Sequence, residues 1–285
     1  MTTGSAGETR VLIVDDDRAL RHALTSLLQA AGYSVDQASD GPEALLRLQD
    51  ASTDVMLLDV NMPGMNGLEV LEKARSLPAP PAVVMMTADD APETLVRSIE
   101  GQAFRYLRKP FAPADIVDVV KEVVAAAPAA TLPIEVVSAR PEWLELMAPC
   151  SLAVAERVQG FVMQLETGLD QDVRESVAAA FRELLFNAVE WGGKLDPTRK
   201  VRISCLRTKR MLLYRIADPG EGFNIEALCH AAVCNPQDDP LRHAIVREEQ
   251  GLRPGGLGIA ITRSLVDELV YNEARNEVVF VKYLD

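Results

Sequence analysis

Aspartates stand where two apolar runs end: Val11-Leu-Ile-Val14 leads into Asp15-Asp16-Asp17, and Val55-Met-Leu-Leu58 closes on Asp59. Runs of this kind read as strands. Side by side in a parallel sheet, they bring their carboxylates together at its carboxyl edge, where open α/β sheets place their sites. Such a cluster suits Mg²⁺, which takes hard oxygen ligands and keeps several waters. Asp16, Asp59 and a backbone carbonyl near Asn61 would hold it, with Asp15 acting directly or through water. Asp59 is then a nucleophile as well as a ligand, because a carboxylate becomes an acyl phosphate when a metal and a cation offset the charge on the group in transfer. Two more runs supply the missing parts. Val83-Val-Met-Met86 ends in Thr87, a hydroxyl that can donate to a phosphoryl oxygen, and Tyr106-Leu-Arg108 is followed by Lys109-Pro110, which offers the cation. Any one of these runs alone is an ordinary buried strand; five positions in register make a site.

Quoted as VLIVDDD, LLDVNMPGMNGLEVL, MMTA and YLRKP, these residues resemble the receiver domain of two-component response regulators, over residues 8 to about 124. The resemblance implies a five-stranded doubly wound α/β fold of the flavodoxin-like kind. It also implies Asp59 as phosphoacceptor, supplied by an upstream sensor histidine kinase or phosphotransfer protein. Thr87 and Tyr106 would be the switch pair and Lys109 the phosphate partner.

Beyond this segment, Ala125 to Pro133 is poor in charge and carries Pro128 and Pro133, which end a helix, so it reads as a short linker. The expected organisation is therefore residues 1–124, a linker over 125–133, and a second domain over 134–285. Its pattern begins with a strand at Ile134 to Val137, a helix from about Leu152 to Leu165 and a longer helix from about Asp172 to Trp191. Strands at Val201 to Leu206 and Leu212 to Ala217 follow. Helices beside a mostly antiparallel sheet make an α+β two-layer sandwich.

On the longer helix Val173, Val177, Phe181, Leu184 and Ala188 form one apolar stripe, and Glu183 and Asn187, four apart, point the same way from its flank. The strand Leu212 to Ala217 runs into Asp218-Pro-Gly220-Glu-Gly222, an acceptor followed by glycines that permit a tight turn and the close approach of a flat ring. Arg253-Pro-Gly255-Gly256-Leu-Gly258 opens a helix read as far as Leu269. Glycines there leave backbone N–H groups facing an anion. Each feature alone is a solvated helix face, a turn or a cap. Together, as ELLFNAVEWG, DPGEGF and RPGGLGIAITRSLVDEL, they resemble the N box and two glycine boxes of the Bergerat-fold ATPases, and within these the anti-sigma factor serine kinases. The resemblance implies ATP and Mg²⁺ as cofactors. Asp218 would take the adenine amino group, Asn187 would hold the metal and Glu183 would be the general base. Gly255, Gly256 and Gly258 would wrap the phosphates, with residues 235–254 as the lid. Trp191 departs from the family, which often has a histidine there.

The function expected is thus a response regulator controlling a protein serine/threonine kinase whose client is an anti-anti-sigma protein or a sigma factor. The alternative is a module that binds nucleotide and sequesters its client without transferring phosphate. A gyrase-like switch would need a long lid and a transducer domain, for which the residues do not suffice, and no histidine-bearing dimerisation helix precedes the ATPase half. A homodimer fits both families.

Composition bounds the rest. The net charge of −13 arises from 11 basic against 19 acidic residues in 1–124 and 18 against 23 in 125–285. Neither half suits nucleic acid, which needs clustered cations. The densest basic stretch, Arg199 to Arg210, fits a solvated sheet edge. Four cysteines at 150, 205, 229 and 234 lack zinc or redox spacing and read as reduced core thiols. The opening residues are short and polar rather than a signal peptide, and no apolar stretch approaches the ~20 residues of a spanning helix, so a cytoplasmic protein without membrane contact is expected.

Overall fold

The computed structural model describes residues 9–50, 52–88, 91–126, 132–166, 168–222 and 258–284. The chain divides into two compact units, Met1–Pro133 and Ile134–Asp285. In the first, strands β1 (Arg10–Val14), β2 (Ser34–Ala38), β3 (Val55–Asp59), β4 (Ala82–Thr87) and β5 (Arg105–Arg108) alternate with helices α1 (Arg18–Ala30), α2 (Gly41–Asp50), α3 (Gly67–Arg75), α4 (Pro92–Glu100) and α5 (Pro113–Ala125). The strands form one parallel sheet in the order β2-β1-β3-β4-β5. This is the expected doubly wound α/β fold. All of β3 and nearly all of β4 are buried, as central strands covered on both faces must be.

Parallel register carries the function of this unit. Val14 lies opposite Leu58, Asp59 opposite Met86, and Thr87 opposite Arg108. The residues that follow or end these strands therefore reach one edge, at the point between β1 and β3 where the strand order reverses. Local chemistry fixes the approach. Asp17 caps α1, its Oδ1 accepting from the N–H groups of Ala19 at 2.7 Å and Leu20 at 3.2 Å. Asn66 and Glu69 form a reciprocal capping box at the start of α3. That helix starts so close to the end of β3 that a Cβ at Gly67 would lie 2.0 Å from the Asp59 carbonyl oxygen, so only glycine fits.

The second unit is a six-stranded antiparallel sheet, ordered β10 (Glu268–Tyr271), β11 (Glu277–Tyr283), β9 (Met211–Ala217), β8 (Lys200–Arg207), β7 (Trp143–Pro149), β6 (Glu135–Arg140). Helices α6 (Leu152–Val162), α7 (Gln171–Asn187) and α8 (Gly258–Leu265) accompany it. Alternation sorts the sheet's faces. Leu144, Leu146, Val201, Ile203, Leu212, Tyr214, Ile216, Val278 and Phe280 are buried, together with Val154, Val158 and Phe161 of α6 and Val177, Phe181 and Leu184 of α7. Tyr214 stacks on Phe280 at 4.8 Å between centroids and meets Phe181 at 5.4 Å. The two-layer α+β architecture is the expected one.

Three local expectations are corrected. The helix read to Leu269 ends at Leu265, and Glu268–Tyr271 is an edge strand, because pairing Glu268 with Val281 and Tyr271 with Val278 satisfies its backbone groups in the sheet. The first strand is half of a hairpin with β7, which the sequence reading left out. The basic stretch is not a sheet edge: β8 is interior, and its cations meet acidic partners on neighbouring elements. Arg202 pairs with Glu145 at 2.5 Å and Lys200 with Glu135 at 2.5 Å. Cys150 and Cys205 are buried, free thiols. Burial pushes Cys150 up to about 11 and Cys205 well above the usual thiol range, which suits inert core residues. Cys229 and Cys234 lie outside the described residues. Among the described residues, no helix is long and apolar enough to cross a membrane.

One buried polar group in this core sets a stability prediction. Glu166, 1% exposed, accepts a hydrogen bond from the Tyr214 hydroxyl, and its other oxygen lies 3.7 Å from Arg207. Burial raises its carboxyl above the ordinary value of 4.5, and Tyr214 and Arg207 draw it back only in part. A carboxyl raised by folding supports the fold fully below its unfolded pKa and withdraws that support as pH rises through the folded one. Thermal unfolding should therefore show Glu166→Gln gaining on the wild type as pH is taken from about 4.5 towards 8, and parallel profiles would refute this. Glu166→Ala should instead cost about 1–3 kcal/mol by leaving the Tyr214 hydroxyl buried without its acceptor.

Candidate functional site

The first site gathers at the carboxyl ends of β1, β3, β4 and β5. Asp15, Asp16 and Asp59 place ligand oxygens within 4.8 Å of one another, Asp15 and Asp59 buried and Asp16 exposed. Lys109 reaches across from the end of β5 and donates to Asp15 Oδ2 and Asp59 Oδ1, both at 2.6 Å. Asp15 is held further: its Oδ1 accepts from the Asp17 N–H at 2.8 Å, and Arg21 Nη1 donates to its carbonyl at 2.5 Å. Three carboxylates against one ammonium leave two formal negative charges in a set of hard oxygens, which fits a hard divalent cation such as Mg²⁺.

Electrostatics agree with geometry. Burial pushes the Asp59 carboxyl up, the ion pair with Lys109 opposing without cancelling it. For Lys109 burial works downward, but its hydrogen bonds to the Asp15 and Asp59 carboxylates outweigh it, so the ammonium is held above its usual range and stays charged. Thr87 is fully buried at the end of β4, and its Oγ1 is 3.5 Å from Asn61 Nδ2. Tyr106 is buried on β5. Every sequence-predicted residue of this site thus stands at one sheet edge or on the strand leading to it. Sequence reasoning did not single out Asp17, which caps a helix and steadies Asp15, or Arg21 and Gly67. The acidic trio itself was the available signal for Asp17.

The second site lies where α7, the end of β9 and the start of α8 meet. Asn187 Nδ2 donates to Glu183 Oε1 at 3.0 Å, so the two residues predicted from one helix face do touch. A Cβ at Gly258 would sit 1.7 Å from that same Glu183 oxygen, so the first residue of α8 abuts the carboxylate. After α7 the chain makes a π-helical turn, Ala188–Gly192, that brings Gly192 against Asp218: a Cβ there would be 2.1 Å from the Asp218 carboxyl. Asp218 Oδ1 accepts from the Gly220 N–H at 2.7 Å. Burial raises the Asp218 carboxyl, while Gly220 and Arg199 pull against the rise. Arg199 also donates to the Pro219 carbonyl. Gly222, with φ +82°, takes a left-handed conformation and leaves no room for a side chain beside the Ala274 carbonyl. Trp191 is 55% exposed.

These glycines mark close approaches, since Cβ atoms at Gly192 and Gly220 would strike Asp218, at Gly222 the Ala274 carbonyl and at Gly258 Glu183, so the loop, the half-buried Asp218 carboxylate and the start of α8 are packed as only glycine allows. Gly255, Gly256 and residues 235–254 lie outside the described residues. Gly192, Arg199 and Asn276, which shape or hold the loop, were not singled out; Gly192 alone carried a signal, as the last residue of ELLFNAVEWG.

Two family models match the chain, one in each unit. Residues 11–121 match the family model of the response regulator receiver domain, and residues 149–282 that of the histidine kinase-like ATPase domain. The transcriptional regulatory protein ResD of Bacillus subtilis is 36% identical over 120 residues, 42% of this chain and 50% of its own length. The response regulator MprA of Mycobacterium avium is 43% identical over 103 residues, 36% of this chain and 45% of its own. The chain thus spans about half the length of the curated relatives it matches. Among solved structures, the chemotaxis protein CheY4 of Vibrio cholerae is 36% identical, with a TM-score of 0.40, covering 41% of this chain and 98% of that one. Residues 11–121 are a response regulator receiver domain, and residues 149–282 are a histidine kinase-like ATPase domain.

Proposed function

We propose that this chain is a response regulator in which phosphorylation of Asp59 governs an ATP-binding effector domain acting as a protein serine/threonine kinase of the anti-sigma type. Asp59 accepts the phosphoryl group from an upstream sensor histidine kinase or phosphotransfer protein, with Lys109 and Thr87 taking its oxygens and Tyr106 completing the switch. Asp15, Asp16, Asp59 and the Asn61 carbonyl hold Mg²⁺ there, and Asn187 holds it in the ATPase half. When bound, the ion neutralises charge on the group in transfer. Asp218 recognises adenine, with Gly220 and Gly222 shaping its turn, and Gly255, Gly256 and Gly258 surround the phosphates. Glu183 takes the proton of a client hydroxyl.

The observation that carries this reading is the contact of Glu183 with the first residue of α8, with Asn187 on the same carboxylate oxygen. A base, an amide ligand and an anion-accepting helix start within one contact are the outfit phosphoryl transfer needs, since its catalysis is mostly positioning and charge stabilisation. The client is an anti-anti-sigma protein, with a sigma factor as the alternative. Incubating the full chain with labelled ATP, Mg²⁺ and a candidate anti-anti-sigma protein should move label to a client serine or threonine. The rate should differ between chain pretreated with acetyl phosphate and untreated chain. A chain that binds both ATP and client yet never labels it is a sequestering module instead. Equal rates in the two states would end the claim of control by the receiver.

A further inference from the structure

The loop that carries Asp218 is gripped by a hairpin turn that the proposed chemistry does not use. Strands β10 and β11 are joined across residues 272–276, and the pairing of Glu277 with Ala217 sets that turn beside the end of β9, where Asp218 begins its loop. Three contacts join the two. The Asp218 N–H donates to the Asn276 carbonyl at 2.8 Å, Asn276 Nδ2 donates to the Gly220 carbonyl at 2.9 Å, and the Ala274 carbonyl presses on Gly222.

The orientation of the Asn276 amide is not arbitrary. Asn272 Oδ1 accepts from the N–H groups of Asn276 at 3.1 Å and Glu277 at 3.2 Å, so this end of the Asn272 amide must be its oxygen. Its nitrogen then donates to Asn276 Oδ1 at 2.8 Å, which turns the Asn276 nitrogen towards Gly220. Two backbone N–H groups thus fix one amide, and that amide fixes the next. Gly220 passes the constraint on, because its own N–H holds Asp218 Oδ1 at 2.7 Å. A left-handed Arg275, φ +61°, gives the turn its shape.

We propose that the Asn272–Asn276 amide relay is the positioning element for the nucleotide loop: it sets where Gly220 lies and thereby the aim of the Asp218 carboxylate, making adenine recognition depend on a hairpin outside the ligand contacts. The inference rests on the reading of Asp218 as the adenine acceptor. In this proposal the two side-chain amides act on Asp218 through Gly220 and not as ligand contacts themselves.

Asn276→Asp tests the relay without changing shape. The variant keeps an oxygen for Asn272 Nδ2 but turns a second oxygen on the Gly220 carbonyl, replacing attraction by repulsion. Calorimetric titration of the full chain with ADP and with GDP, each with Mg²⁺, should show the Kd for ADP rising about tenfold while that for GDP changes little, so that the adenine preference collapses. In turnover, KM for ATP should rise with kcat retained, the split expected when binding geometry alone is spoiled. Asn272→Asp keeps the acceptor for both N–H groups but loses the donor to Asn276, and should give a smaller loss of the same sign. It serves also if the first variant folds poorly. Unchanged ADP affinity and unchanged adenine preference in both folded variants would overturn the relay while leaving the nucleotide site standing. A wild type that binds no adenine nucleotide would overturn the reading beneath it.

Discussion

Asp59→Ala is expected to abolish the single phosphoryl group that the wild-type chain takes up from acetyl phosphate with Mg²⁺, read as the loss of one phosphate mass on the intact protein. Among the described residues Asp59 is the carboxylate that ends a central strand, touches the charged Lys109 and stands within 4.8 Å of two further aspartates. Alanine removes the nucleophile without dismantling its surroundings. Lys109 keeps Asp15 at 2.6 Å, so no buried cation is orphaned, and a carboxyl whose pKa is raised by burial is itself a cost to the fold. The variant should therefore melt within about 1 kcal/mol of the wild type, or above it. Chelating Mg²⁺ should silence the wild type as completely as the mutation does. Label persisting on Asp59→Ala would move the acceptor elsewhere, and a large loss of stability would mean that Asp59 serves the core before it serves chemistry.

What the sequence reveals differs between the two units for a physical reason. In the receiver the chemical residues end or closely follow strands, Tyr106 within β5 excepted, and parallel register aligns strand ends, so position along the chain translates directly into position in space: Val14 beside Leu58, Asp59 beside Met86, Thr87 beside Arg108. Asp17 escapes such a reading because capping depends on where a helix begins, which strand patterns do not mark. In the second unit the α7 pair was legible because Glu183 and Asn187 are one turn apart, a spacing that puts both on one face within reach of each other, and they do touch. The hairpin β6–β7 was not, since Trp143 and Met147 place apolar side chains on the outer face and blur the alternation of Leu144, Leu146 and Ala148. At Leu265 to Leu269 apolar residues keep a helical period while the backbone finds better partners in β11. Asn276 and Arg199 lie just outside strands, in segments with no period at all, and their roles exist only through the Gly220 and Pro219 carbonyls of a loop more than fifty and about twenty residues distant.

The other large effect falls on Glu183. Glu183→Gln should leave nucleotide affinity within about twofold, since the amide oxygen can still accept from Asn187 and the side chain keeps its length, while transfer of phosphate to the client falls by about 10²–10⁴ through loss of a general base. Single-turnover transfer with bound labelled ATP separates the two quantities, and transfer at the wild-type rate would dismiss Glu183 as the base. Gly258→Ala approaches the same carboxylate from the other side. The added methyl would start 1.7 Å from Glu183 Oε1, which is the far end of a flexible side chain and not backbone, so the carboxylate swings away and the helix stays. Alanine also favours a helix over glycine by roughly 1 kcal/mol, which protects α8. Gly258→Ala should thus melt at or slightly above the wild-type temperature and yet transfer phosphate at least about tenfold more slowly, because the base has been displaced from its place beside Asn187. If transfer instead survives in Gly258→Ala but fails in Glu183→Gln, the carboxylate works from a position other than the one it occupies beside α8. If both variants transfer normally, Glu183 is not the base and another group takes the client's proton.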